Sequence, residues 1–149
     1  MSVQNKKAIV LYGNGCTGKT TTLNILIDKI IPLSKLIDIK PVGKNDRWAV
    51  VEYKKLLVAV ITAGDSENDL KWYFDKVDNA SDKSIDIYIF ACRTKGRAVK
   101  FVQREFSYVL WERRWNISEE KSSSGLIGNF RDEANELQAD TIIKTIDLI

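Results

Sequence analysis

Histidine is absent from this 149-residue chain, which also holds only two cysteines, two prolines and one methionine. Without histidine, proton transfer rests with Asp, Glu, Lys, Tyr or water, which excludes histidine triads and most zinc sites. The two cysteines, Cys16 and Cys92, make no disulfide framework and suit a reducing cytosol, so a cytoplasmic location is expected. No apolar run approaches the roughly 18 residues of a membrane span. The polar start Met1–Lys7 leads straight into the first apolar segment, so neither a signal peptide nor a membrane partner is expected. A net charge of +3 is too small to argue for nucleic acid by itself. The chain is 44% hydrophobic and 29% charged, in the range of globular proteins, and its length suits one domain with a proper core. No internal repeat is visible.

What is present is more specific. Gly13-Asn14-Gly15-Cys16-Thr17-Gly18-Lys19-Thr20 fits the phosphate-binding pattern G-x-x-x-x-G-K-[ST] at every fixed position. Average residue usage puts a chance match in such a chain at roughly 1 in 200, and the flanks lower it further. Lys7–Tyr12 is a short apolar run of strand type, and Thr21–Ile31 carries apolar residues three and four apart, as on a helix face. Gly13 and Gly18 free the backbone so that successive N–H groups can point at an anion. The helix opening near Gly18 adds the positive end of its dipole. Lys19 is placed to reach the β- and γ-phosphates, and the Thr20 hydroxyl to ligate Mg²⁺.

On these residues the chain resembles the P-loop NTPase superfamily. The resemblance implies binding of ATP, with GTP not excluded, together with Mg²⁺, by Gly13, Asn14, Gly15, Cys16, Thr17, Gly18, Lys19 and Thr20. It places Thr21 at the α-phosphate. It also implies a three-layer α/β/α sandwich and an acidic residue, near the Mg²⁺, ending an apolar strand that neighbours the first. GTP-switch proteins of the superfamily carry a Mg²⁺-liganding Thr after the first helix and an Asn-Lys-x-Asp motif. Here residues 33–46 offer only Ser34, and the corresponding later stretch reads Cys92-Arg93-Thr94-Lys95. Both departures weigh against a GTPase without forbidding GTP.

The pattern predicts an alternating α/β fold with a mostly parallel sheet. A strand at 7–12 and a helix at 18–31, stopped by Pro32, precede a less regular stretch at 33–46. Extended segments at 48–53 and 56–61, separated only by Lys54-Lys55, predict an antiparallel hairpin, although Lys-Lys is a poor turn by residue type. A helix at 66–78, a strand at 85–92, a helix at 96–105 and a last strand at 108–111 follow. Ser118–Asn129 is polar and Ser/Gly-rich, predicting a mobile loop, and 130–147 an amphipathic closing helix.

In such a sheet, ligands bind beyond the carboxyl ends of the strands. Asp65, after Thr62-Ala63-Gly64, is the candidate acidic residue, with Glu67 and Asp69 behind it. It lies three residues later than the usual position, so it is a candidate either for the metal or for orienting water or serving as general base. Alternatively, Asp65 or Ser66 only caps the next helix. Arg93 is the first polar residue after its strand, placed for bidentate contact with a triphosphate. Lys95 and Arg97 could form a cationic lid, or Arg97, Lys100 and Arg104 simply a solvated basic face. Trp111-Glu112-Arg113-Arg114-Trp115 mixes rings and cations, yet such segments more often pack at a strand end, and nucleic acid is not expected among the partners. Trp72-Tyr73-Phe74 is assigned mostly to the core.

Three functions fit. One is a small kinase moving the γ-phosphoryl group of ATP to an acceptor, with Lys19, Asp65 and Arg93 as catalytic residues. A second is an ATP hydrolase or switch acting on a protein partner. The third is a non-catalytic nucleotide-binding module.

Overall fold

The computed structural model describes residues 6–13, 18–93, 96–113 and 125–149, with backbone alone for 125–131. Among these residues the elements run β1 (Lys7–Tyr12), α1 (Lys19–Ile30), β2 (Lys35–Val42), β3 (Asp46–Tyr53), β4 (Leu56–Ile61), α2 (Glu67–Asp78), β5 (Ile87–Cys92), α3 (Arg97–Glu105), β6 (Tyr108–Arg113) and α4 (Gly125–Leu148). The strands form one sheet in the order β2-β3-β4-β5-β1-β6. β4, β5, β1 and β6 pair in parallel, whereas β3 is antiparallel to both β4 and β2. The α/β class and the mostly parallel sheet agree with the sequence.

Right-handed crossovers decide which face each helix covers. The path from β1 through α1 to β4 crosses the sheet one way, while β4–α2–β5 and β5–α3–β6 travel the other way. The packing follows. Ile9 and Leu11 of β1 meet Leu23, Leu26, Ile27 and Ile30 of α1, with Ala139, Ile142 and Ile146 of α4. Their chain neighbours Ala8 and Val10 belong to a second cluster with Leu70, Phe74 and Val77 of α2 and Phe101 and Val102 of α3. All four of those α1 side chains are fully buried, each contributing roughly 1.5–3 kcal/mol.

The loops that leave β1 and β5 therefore head toward opposite faces of the sheet, although the two strands are adjacent. A crevice opens at such a point beyond the carboxyl ends, where open α/β sheets place their ligands.

The local readings differ from the structure in two places, β2 and the start of α4, while the expected β3–β4 hairpin is present with its unusual turn. Residues 35–42, expected to be irregular, form the edge strand β2. Its polar and apolar residues do not alternate cleanly because a bulge lies between Leu36 and Asp38, and Pro41 is tolerated because an edge strand has a free side. The hairpin turn is made by Lys54 and Lys55, both left-handed at φ 47° and 70°, the conformation a two-residue turn requires whatever residues supply it. Finally, of the loop expected at 118–129, residues 125–129 belong to the start of α4, and 118–124 lie outside the described residues.

Candidate functional site

The glycine loop begins where β1 ends. The Gly13 N–H donates to the Cys92 carbonyl at 3.3 Å, extending the β1–β5 ladder one residue toward the crevice. At the other end of the loop, Gly18 is left-handed (φ 88°, ψ 18°), a conformation costly for any residue with a Cβ, and α1 starts directly after it. Lys19 is 7% exposed. Its ammonium donates to the Gly13 carbonyl at 2.7 Å. Asn14, Gly15, Cys16 and Thr17 lie outside the described residues.

The start of α1 differs from that of α2 in a way that matters for anions. α2 caps itself: the Ser66 hydroxyl accepts from the Asp69 N–H at 3.1 Å, and Glu67 and Asp69 sit in its first turn against the dipole. Capping thus falls to Ser66 and not to Asp65. α1 has no side-chain cap and no acidic residue in its first turn, so its positive end faces the crevice uncompensated by its own side chains. Thr20 donates its hydroxyl hydrogen to the Thr62 carbonyl at 3.2 Å, which leaves the oxygen lone pairs of Thr20 to face a cation. Thr21 is exposed beside it, and the buried Thr22 anchors α1 to α4 by donating to Asn135 Oδ1 at 3.2 Å.

β1 lies between β5 and β6, and β5 separates it from β4. β5 ends in Cys92-Arg93 with no acidic residue, while β6 ends in Glu112-Arg113, with Glu112 opposite Leu11 of β1. Thr62-Ala63-Gly64-Asp65, coming off β4, reaches across the end of β5 instead. Gly64 permits this: a Cβ there would lie 1.8 Å from the Ala91 carbonyl oxygen. The segment brings Asp65 to 3.8 Å from Arg93 Nε, with the two side chains 68% and 58% exposed. At that exposure the pair adds little stability, and both groups stay available to a ligand. Cys92 beneath them is buried and its thiol is pushed up to about 11, chiefly by burial and partly offset by the Arg93 N–H and the Lys19 charge. It is a packing residue, not a nucleophile.

The structure adds residues to the site that the sequence did not single out. The hydroxyl of the fully buried Thr62 donates to Asp46 Oδ1 at 2.9 Å and accepts from the Arg47 N–H at 2.9 Å. Arg47 in turn donates Nε to Asn24 Oδ1 at 2.6 Å and Nη2 to Asp28 Oδ1 at 2.7 Å, while Asn24 Nδ2 donates to the Thr20 and Asn45 carbonyls, each at 3.1 Å. The β2–β3 turn is thereby sewn to the first turns of α1. A signal existed: with only Lys54 and Lys55 in the hairpin turn, counting outward along the ladder sets Trp48 opposite Ile61 and hence Arg47 beside Thr62.

Ser34 is excluded from this site, because it lies at the other end of α1, donating to the Ile30 carbonyl at 2.7 Å near the amino end of β4. Of the cationic lid expected from Lys95 and Arg97, Lys95 lies outside the described residues. Arg97, Lys100 and Arg104 are exposed along α3, and Arg104 pairs with Glu67 at 3.2 Å, as a solvated basic face would. Trp111 packs edge-on against Tyr12 at 5.9 Å, while Arg114 and Trp115 lie outside the described residues.

Beside Asp65 a cavity of about 320 Å³ opens between the starts of α2 and α3, lined by Asp65, Ser66, Asn68, Gly96 and Arg97 among others. A larger hollow of about 670 Å³ lies at the amino end of β1 and β6, against Lys7, Tyr108 and Leu110, remote from the glycine loop. Among the described residues no group of three or more His, Cys, Asp or Glu side chains could cage a metal. Magnesium seldom needs such a cage, since it takes one or two protein ligands with waters and substrate phosphates. Compared with known proteins, the chain matches no family model, no curated protein and no solved structure.

Proposed function

We propose that this chain is a P-loop protein of the three-layer α/β/α type that binds ATP with Mg²⁺ at Gly13–Thr21 and acts as a small kinase. The observation that carries the reading is the meeting of three features at the β1–β5 crevice. The left-handed Gly18 opens α1, the first turn of α1 lacks an acidic or capping side chain, and the buried Lys19 ammonium is folded onto the Gly13 carbonyl. Together they offer N–H groups, a helix dipole and a cation to a polyphosphate. Thr20, whose hydroxyl hydrogen goes to the Thr62 carbonyl, would offer its oxygen to Mg²⁺, which when bound would neutralise charge on the β- and γ-phosphates. Arg93 adds a guanidinium at the same end of the sheet. Asp65, between Arg93 and the 320 Å³ cavity, serves as base or orienting group for an acceptor hydroxyl or phosphate in that cavity.

A second reading, an ATP hydrolase or nucleotide-dependent switch acting on a protein partner, is favoured by one observation. The β2–β3 turn is tied to α1 beside Thr20 and runs into the edge strand β2, so a change at the site has a direct route to an exposed edge.

Calorimetric titration with Mg²⁺-ATP and Mg²⁺-GTP tests the first step. Wild type is expected to bind, and Lys19→Ala to lose binding with its fold intact. Equal affinity in Lys19→Ala would remove the basis of the proposal. Phosphate release on the same samples separates the two readings: tight binding with almost no release supports the kinase, and steady release the hydrolase.

A further inference from the structure

We propose that Asp46, rather than Asp65, supplies the protein carboxylate that faces the magnesium ion of this site. The proposal rests on the P-loop reading above and on four observations. First, β5 and β4 end without a carboxylate, in Cys92-Arg93 and in the fully buried Ile61 followed by Thr62, and the carboxylate near the end of β6, Glu112, lies on the far side of β1 from Thr62. Second, Asp65 lies 3.8 Å from the Arg93 guanidinium, whose positive charge disfavours a metal cation at the same place.

Third, Asp46 is joined to the candidate metal-liganding hydroxyl through a single residue. Thr20 donates to the Thr62 carbonyl at 3.2 Å, and the Thr62 hydroxyl donates to Asp46 Oδ1 at 2.9 Å. Because β3 is antiparallel, its first residue lies at the carboxyl end of β4, the end where the phosphates are read. Fourth, Asp46 is held by the Thr62 hydroxyl, and among the described residues no Lys or Arg side chain forms an ion pair with it. Its neighbour Arg47 spends its guanidinium on Asn24 and Asp28 of α1, and the Arg47 N–H fixes Thr62 from the other side. Asp46 itself is half-buried, which leaves a way in for a hydrated ion. A carboxylate positioned by strand pairing and by one hydrogen bond suits Mg²⁺, which demands near-ideal geometry and keeps several of its waters.

The site thus reaches its carboxylate backward along the chain, from the turn before β3, and not forward from the loop after β4. In this arrangement Asp65 remains on the acceptor side, beside the cavity at the start of α2.

The test compares Asp46→Asn with Asp65→Asn, measuring the affinity for a non-hydrolysable ATP analogue in Mg²⁺ and in EDTA. The manganese resonance spectrum of each complex is recorded as a second readout. Asparagine still accepts from the Thr62 hydroxyl, so the hairpin is expected to survive, and circular dichroism checks this. Asp46→Asn is expected to lose about 10- to 100-fold of the metal-dependent gain in affinity, to keep its affinity in EDTA, and to change the manganese spectrum. Asp65→Asn is expected to change neither. Should Asp46→Asn not fold, Asp46→Cys replaces it, with affinity restored by Cd²⁺ but not by Mg²⁺. A full Mg²⁺ gain in either folded Asp46 variant, or its loss in Asp65→Asn, overturns the proposal. If wild type binds the analogue under neither condition, the P-loop reading fails and this proposal with it, whereas binding in EDTA without any Mg²⁺ gain leaves that reading standing and overturns this one.

Discussion

Replacing Gly64 by alanine adds a single methyl group at a close backbone crossing beside the site. That Cβ would lie 1.8 Å from the Ala91 carbonyl oxygen and 2.8 Å from its carbon, and ordinary contact begins at 3.4 Å, so backbone must move by about 1.6 Å. Neither side can give cheaply, since Ala91 is paired with Leu11 in the centre of the sheet. Overpacking of this kind costs about 3 kcal/mol, which in a chain of this size lowers the melting temperature by roughly 6–12 °C. Gly43→Ala is the matched control. There the added Cβ meets nothing within 4 Å and only φ +66° is unfavourable, at a cost of about 1 kcal/mol and roughly 2–4 °C. The Gly64 change also displaces the segment carrying Asp65, so any turnover is expected to fall by about 100-fold in the surviving folded fraction. Calorimetric melts of the three proteins decide the matter. If Gly64→Ala melts no lower than Gly43→Ala, the close crossing of β5 does not exist as described, and the placement of Asp65 beside Arg93 falls with it.

Two further outcomes test the buried side of the site. Thr62→Val leaves the Arg47 N–H and the Asp46 carboxylate without their shared partner, and urea unfolding is expected to show a loss of about 1–3 kcal/mol. Thr62→Ser keeps the hydroxyl and is expected to lose about 1 kcal/mol or less; equal losses in both variants would show that the hydroxyl carries no weight. Cys92 is 1% exposed with its thiol pushed up to about 11, so it stays protonated well past neutrality. In a Cys16→Ser background it is expected to react with a thiol reagent at pH 8 only on unfolding; reaction at the same rate in the folded protein would place it at the surface.

Much of this fold is legible in local sequence because its signals are local. The glycine loop, the stripe of α1 at Leu23, Leu26, Ile27 and Ile30, and the face of α2 at Leu70, Tyr73, Phe74 and Val77 are periodic patterns that need no partner to be recognised. The β3–β4 hairpin is equally plain, since two apolar runs two residues apart have one way to pair. β2 escapes notice because, as an edge strand, it buries few residues and interrupts its alternation with a bulge and Pro41. The first turn of α4 escapes notice in the sequence because Gly125, Gly128 and Asn129 are weak helix formers.

By itself, then, the sequence determined the chemistry on offer: a glycine loop with Lys19 and Thr20 before a helix, no histidine, and acidic and basic residues after two later strands. Each of these follows from residue type and spacing within one turn or one strand. Only the tertiary structure decided which of those residues meet. That β5 separates β1 from β4, that Gly64 carries Asp65 across it to Arg93, and that Asp46 stands one residue from Thr20 all depend on strand order and register. These are set by pairing between segments far apart in the chain, whose free energies compete only once the whole sheet is assembled.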